Sequence, residues 1–353
     1  MEQKTVFVGL SGGVDSSVAA LRLKQQGYFV VGVFIKVWHP DFLECDWEAE
    51  RLDAMRVAAA LDIPFLTCDA EQAYKDDVAA YFIREYENGR TPNPDVMCNK
   101  HVKFGAFLKF ALEHNADYIA TGHYAQVMKE GDRYALLRGA DSNKDQSYFL
   151  WTLTQEQLAR VLLPVGDSNK PAIRKEAEEA GLPTAQKKDS QGICFLGAVD
   201  IPEFLSHYTE LKKGSVLDSE GRAIGTHEGA ILYTSGQRHG FSITEDDANR
   251  TPHYVIARDI AKNTITVGVK KPQQEEHSSL RLTDLNVICG SLEPGQTVSV
   301  QTRYRQTPSA ARVDSHEGGS LTLSFIESSE MASAGQSCVL YDGERTLGGG
   351  IIT

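Results

Sequence analysis

Residues Thr5–Leu10 (TVFVGL) form an apolar run of strand length, and the chain passes from it directly into SGGVDSS at residues 11–17 and an amphipathic stretch ending near Gln26. No other feature restricts the fold as tightly. A short continuous apolar run reads as a strand buried on both faces. Gly9, Gly12 and Gly13 allow close backbone approach, and Asp15 and Ser16 suit the start of a helix. The alternation continues with a strand at Phe29–Lys36, a helix at Glu48–Leu61 and a third strand at Ile63–Cys68. A helical region near Ala70–Glu87 follows, then a loop bearing Pro92 and Pro94, a helix around Val102–His114 and a strand at Tyr118–Thr121. Such β-α-β order predicts a mostly parallel sheet covered by helices, with its ligand at the carboxyl ends of the strands.

Further along, Thr154 and Gln157 have capping-box spacing, and Pro171–Ala180 reads as a helix ended by Gly181 and Pro183. After about Leu205 the pattern changes to period-two segments such as Tyr254–Ala257, Thr264–Val269, Thr297–Thr302, Leu321–Phe325 and Cys338–Tyr341. Separated by Gly, Asn, Asp and Pro, these predict short antiparallel strands. The polar segment Lys270–Ser279 reads as a joint between two β-rich modules. At ~150 residues per domain, 353 residues correspond to two or three domains.

Composition limits the functional classes. With 41% hydrophobic and 24% charged residues the chain is of ordinary globular type. Its net charge of −12 excludes a bulk electrostatic attraction to nucleic acid, so any RNA binding must be local. No stretch approaches the ~18–20 apolar residues of a membrane span, and MEQK leads into a strand-like run, so a cytoplasmic location is expected. The six cysteines include no C-x-x-C pair, which fits a reducing compartment.

The loop after the first strand carries chemistry. Free N–H groups at the helix start, with the hydroxyls of Ser11, Ser16 and Ser17, form a cradle for a phosphate or pyrophosphate. It has no lysine of the G-K-[ST] kind, which points away from γ-phosphoryl transfer. The stretch resembles the PP-loop of the ATP pyrophosphatases, which cleave ATP between its α- and β-phosphates and adenylate a carbonyl oxygen. That superfamily acts on many substrates, so the loop alone does not select one.

Two cysteines narrow the choice. Cys98 lies in TPNPDVMCNKHVKF (residues 91–104), read as a polar loop before a helix, where the helix dipole and a nearby lysine would lower the thiol pKa. Cys194 lies in another polar loop, DSQGICF (residues 189–195). Cys45, Cys68, Cys289 and Cys338 read as packing residues. With these segments, the chain resembles the tRNA-specific 2-thiouridylases through ATGHY (120–124), KDQSYF (144–149), YTSGQR (233–238), RYRQ (303–306), Gly335-Gln336 and LGGG (347–350), in family order along essentially the full length.

That resemblance implies an adenine nucleotide α-hydrolase-like α/β domain at 1–204, a small central β-rich domain at 205–275 and a C-terminal β-barrel at 276–353. The implied reaction is ATP-dependent 2-thiolation of the wobble uridine of tRNA, with Mg²⁺ offsetting triphosphate charge through ligands that cannot be read. Implied nucleotide contacts are Gly9, Leu10, Ser11, Gly12, Gly13, Val14, Asp15, Ser16, Ile35 and Gly122. Cys194 would carry a persulfide from a sulfur-carrier protein, and Cys98 would be the second nucleophile. Asp95 is the acid/base candidate; its other reading is an Asx-turn or helix cap. Contacts to the tRNA anticodon arm are implied for Asn93, Pro94, Asp95, His123, Lys144, Asp145, Gln146, Arg303, Tyr304 and Gln336. Without the resemblance, Arg303–Arg305 reads as a solvated strand edge. The protein is expected to act as a monomer.

Overall fold

The computed structural model describes residues 3–42, 47–188, 201–244 and 251–353. Cys45 and Cys194, with the whole of 189–200, lie outside the described residues.

The first unit builds β1 (Thr5–Gly9), α1 (Val14–Gln25), β2 (Phe29–Lys36), α2 (Trp47–Ala60), β3 (Phe65–Asp69), helix α3 over 71–87, helix α4 over 94–113 and β4 (Tyr118–Ala120). A hairpin of β5 (Ala125–Glu130) and β6 (Arg133–Arg138) follows, then α5 (Gln155–Leu158), β7 (Val161–Leu162), α6 (Lys170–Glu179) and α7 (Ile201–Ser206). The parallel sheet has the order β3-β2-β1-β4-β7, with Val8 paired to Gly32 on one side and Ala120 on the other. The continuous apolar character of β1 follows from its position. Val6 and Val8, both 0% exposed, face one helical layer with Val18, Val57 and Ile173, while Phe7 faces the other with Phe104 and Phe107. Each such valine contributes about 1.5–3 kcal/mol by leaving water.

The capping box at α5 forms with both arms: Thr154 Oγ1 accepts from the Gln157 backbone, and Gln157 Oε1 accepts from the Thr154 backbone. One helix starts earlier than expected. Asn93 Oδ1 accepts from the Val96 N–H and Pro94 takes the first helical position, so α4 begins at Pro94 and Cys98 stands inside it.

The central sheet joins β8 (Gly214–Leu217), β9 (Ala223–His227), β10 (Phe241–Ile243), β11 (Tyr254–Asp259) and β12 (Thr264–Gly268) in the order β10-β9-β8-β12-β11 around Val216, Val255, Ile265 and Val267. After β13 (Gln273–Gln274) come β14 (Ser279–Val287), β15 (Thr297–Gln301), β16 (Ser309–Glu317), β17 (Ser320–Phe325), β18 (Ser329–Glu330), β19 (Ser337–Asp342) and β20 (Arg345–Ile352). The order β14-β17-β16-β15-β19-β20 closes through β14–β20 pairing into a six-stranded barrel. Lys270–Ser279 is more than a joint: β13 pairs with β18, and Lys271 meets Glu330 at 2.8 Å, which fixes the segment to the barrel. The β5–β6 hairpin also reaches across, pairing Leu136 with Thr346 of β20.

Candidate active site

The sheet order reverses between β1 and β4, and the loops leaving their carboxyl ends therefore border a crevice. SGGVDSS is one of these loops. Gly12 has φ +69°, and a Cβ there would stand 2.8 Å from the Glu50 carbonyl oxygen, so only glycine fits. Leu10 anchors the loop from beneath by donating its N–H to Val33 at 2.8 Å. Ser16 Oγ accepts from the Ser11 N–H at 3.3 Å and lies 3.3 Å from Ser11 Oγ. Ser17 is not available to a ligand: its hydroxyl donates to Gly13 O at 2.7 Å and meets Thr184 Oγ1 at 3.0 Å in the buried interior. The cradle thus consists of the glycine backbone, the start of α1, Ser11 and Ser16.

Gly122 closes the other side. A Cβ at this residue would fall 2.6 Å from the Ser16 nitrogen and 2.7 Å from the Asp15 carbonyl carbon, so the β4 loop lies directly on the start of α1. Asp15 Oδ1 accepts from Tyr124 Oη at 2.7 Å, and Lys170 Nζ spans both carboxylate oxygens at 2.7 and 2.8 Å. Ile35, at the end of β2, places its Cδ1 3.4 Å from the direction a Gly9 Cβ would take.

The Cys98 helix packs on the same edge of the sheet. The Phe104 ring lies 5.7 Å from that of His123, the residue after Gly122. Cys98 is buried with Tyr74, Val102 and Tyr148, and begins a π-helical stretch, Cys98–Ala106. It is the fifth residue of the helix and stands one turn in from the N-terminus, not in a loop before it. Asp95 is not the cap, which is Asn93; burial raises its pKa, and Lys103 offsets part of the rise. His123 is buried, with Nδ1 2.7 Å from Thr121 Oγ1, and burial followed by the charge on Lys103 holds its pKa well below the usual value. It therefore presents a neutral imidazole. Burial raises the thiols of Cys68, to about 11, and Cys338, to about 12, consistent with packing roles.

The loop preceding Cys98 is held by all three units. Thr91 donates its N–H to Ala334 O at 2.8 Å, and its hydroxyl meets Thr234 Oγ1 at 2.9 Å. Gln336 Nε2 donates to Thr91 O at 2.9 Å and Pro92 O at 3.2 Å, while Arg258 donates to the carbonyls of Gly89 and Tyr233. Arg303 is no strand-edge residue. It sits in a turn built by Gln306 Oε1, which accepts from the N–H groups of Thr302 and Arg303, and its guanidinium donates to Ser235 O at 2.8 Å and Ser333 Oγ at 3.2 Å. Tyr304 packs on Phe149 at 4.4 Å, with Arg305 over its ring. In the 144–146 segment, Asp145 accepts from Gly139, Ser147 and Arg138, and Gln146 Oε1 accepts from the Tyr124 N–H. Lys144 is half-buried beside them.

The sequence matches the family described as tRNA methyl transferase HUP domain over residues 4–198, the tRNA methyl transferase PRC-barrel domain over 202–269 and the aminomethyltransferase beta-barrel domain over 277–352. A protein named tRNA-specific 2-thiouridylase MnmA from Lysinibacillus sphaericus is 45% identical over 355 residues, 99% of this chain and 94% of its own. Proteins of the same name from Streptococcus thermophilus and Listeria innocua are each 45% identical over 98% of this chain and 94% of their own. The chain belongs to the tRNA-specific 2-thiouridylase family. As a thiouridylase it is a tRNA sulfurtransferase.

In this thiouridylase the structure brings together the PP-loop, Ile35 and Gly122, and beside them His123 and the helix of Asp95 and Cys98. Cys194, the persulfide candidate, lies outside the described residues. Sequence reading missed Lys170 and Tyr124, which meet Asp15 from 155 and 109 residues away. Only the adjacency of Tyr124 to Gly122 and His123 pointed toward one of them. Among the described residues no cluster of three or more His, Cys, Asp or Glu forms a metal site, and no helix is long and apolar enough to cross a membrane.

Proposed function

We propose that this chain 2-thiolates the wobble uridine of tRNA, consuming ATP and releasing AMP and pyrophosphate. The observation that carries this reading is the shared sheet edge: Gly122 lies on the PP-loop, and the next residue, His123, packs on the helix bearing Asp95 and Cys98. A nucleotide at the first and a base at the second would be neighbours.

ATP is a co-substrate. Uracil O2 is a poor leaving group; its attack on the α-phosphorus breaks the bond to the β-phosphate and converts it into a good one. Pyrophosphate is stabilised by the glycine N–H groups and the start of α1, and a Mg²⁺ ion carried with the nucleotide would offset its charge. The Cys98 thiolate then attacks a Cys194 persulfide, releasing hydrosulfide that adds to C2 and expels AMP. In the other route the persulfide attacks C2 itself and Cys98 resolves the adduct. Both routes end at a Cys98–Cys194 disulfide, which a cellular thiol reductant must reopen. Asp95, whose raised pKa favours the protonated form, serves as the acid/base group.

The target uridine must leave its stack to reach Cys98. Asn93 and Pro94 shape its pocket, while Lys144, Asp145, Gln146, His123, Arg303, Tyr304 and Gln336 border the path of the anticodon arm. In this reading 1–204 performs the chemistry and 205–275 and 276–353 clamp the tRNA. The protein works as a cytoplasmic monomer supplied by a persulfide carrier protein. Pyrophosphate release should depend on uridine-containing tRNA; equal release without tRNA would contradict adenylation of the base.

A further inference from the structure

An aspartate in a phosphate cradle is an electrostatic problem. Asp15 occupies the second position of α1, among the N–H groups that would receive a triphosphate, and a bare carboxylate there would repel it at short range. The PP-loop holds no lysine or arginine of its own. The compensating charge comes from the other end of the domain: Lys170, only 8% exposed, places Nζ 2.7 and 2.8 Å from the two oxygens of Asp15. Its backbone is fixed as firmly as its ammonium. The Lys170 N–H donates to Asp141 Oδ2 at 3.0 Å, and the Asn169 side chain caps the same helix by accepting from Ala172 at 3.0 Å. Tyr124 donates to Asp15 Oδ1, fixing the carboxylate from a second side.

We propose that Lys170 is a positioning residue for the nucleotide reaction, which neutralises and orients Asp15 so that the PP-loop can accept the polyphosphate of ATP. The inference rests on the reading of the loop as an ATP site. It explains how an anion-binding loop tolerates a carboxylate at its centre. Removing one partner of a largely buried ion pair leaves the other uncompensated, and here the uncompensated charge has the sign of the ligand.

The test is a double-mutant cycle on the full chain, with calorimetric binding of α,β-methylene ATP and Mg²⁺. Lys170→Met should weaken binding about tenfold or more when Asp15 is present, and by less than about twofold in an Asp15→Asn background. Lys170→Arg, which keeps the charge, should bind within about threefold of the unaltered protein. Unfolding temperatures of the same samples without nucleotide identify a variant that has lost its fold, and Lys170→Gln then replaces Lys170→Met. An equal loss in both backgrounds, or no loss in the first, overturns the proposal. Failure of the unaltered protein to bind the analogue would overturn the ATP site itself, a separate result.

Discussion

Residues 9–17 and 88–98 both connect regular structure to a helix start, yet they are held in opposite ways. The first loop is shaped mainly from within: glycines at its tightest points, Ser11 and Ser16 bonded to each other, and Ser17 bonded to Gly13. The second is shaped from outside. Gly89, Thr91 and Pro92 are gripped by Arg258 and Thr234 of the central unit and by Ala334 and Gln336 of the barrel. The conformation of this loop therefore does not depend on the central unit or the barrel. The approach to Cys98 depends on their docking, as the proposed clamping of tRNA by the central unit and the barrel would require.

The contrast can be broken at either end. Gly122→Ala should have the largest effect, because its methyl would collide with backbone at 2.6 and 2.7 Å rather than with a side chain that can move. We expect a stability loss of about 1–3 kcal/mol and loss of ATP binding, measured by thermal unfolding and calorimetry. Gln336→Leu tests the outer grip. Two carbonyls lose their donor, at about 0.5–1.5 kcal/mol each, so tRNA thiolation should fall severalfold while the KM for ATP stays nearly constant. A rise in that KM would mean that the two loops are not independent.

Asp95→Asn gives the smallest effect and sharpens the electrostatic side. Burial raises the folded-state pKa of Asp95 above its unfolded value, so the folded form holds the proton more tightly. That contribution is complete below the ordinary carboxylate range and is lost as pH rises through the raised pKa. The unfolding temperature of Asp95→Asn relative to the unaltered protein should therefore increase from about pH 4 upward and then level off. A pH-independent difference would show that Asp95 is not the buried titrating group.

The same contrast explains what could be read in the sequence. The PP-loop, the β-α-β order and the Thr154–Gln157 capping box depend on near neighbours, and all three were legible. The start of α4 was also written locally, in Asn93-Pro94, but the pair of prolines read as a loop and placed the helix near Val102. Lys170 on Asp15, Gln336 on Thr91 and the β5–β6 hairpin on β20 depend on chain segments that meet only after folding, so no local pattern announces them. Arg303 shows the cost of reading charge without context: it looks like a solvated residue on a strand, yet Gln306 folds it into a turn where it clasps Ser235 and Ser333.

In the proposed reaction the PP-loop and the Cys98 helix act together on one base. Mass analysis of tRNA nucleosides after incubation with ATP, Mg²⁺ and a persulfide donor tests it most directly. The unaltered protein should produce 2-thiouridine at the wobble position only when ATP is present, and Cys98→Ser should produce none while still releasing pyrophosphate in the presence of tRNA. Thiolation without ATP, or undiminished thiolation by Cys98→Ser, would contradict it.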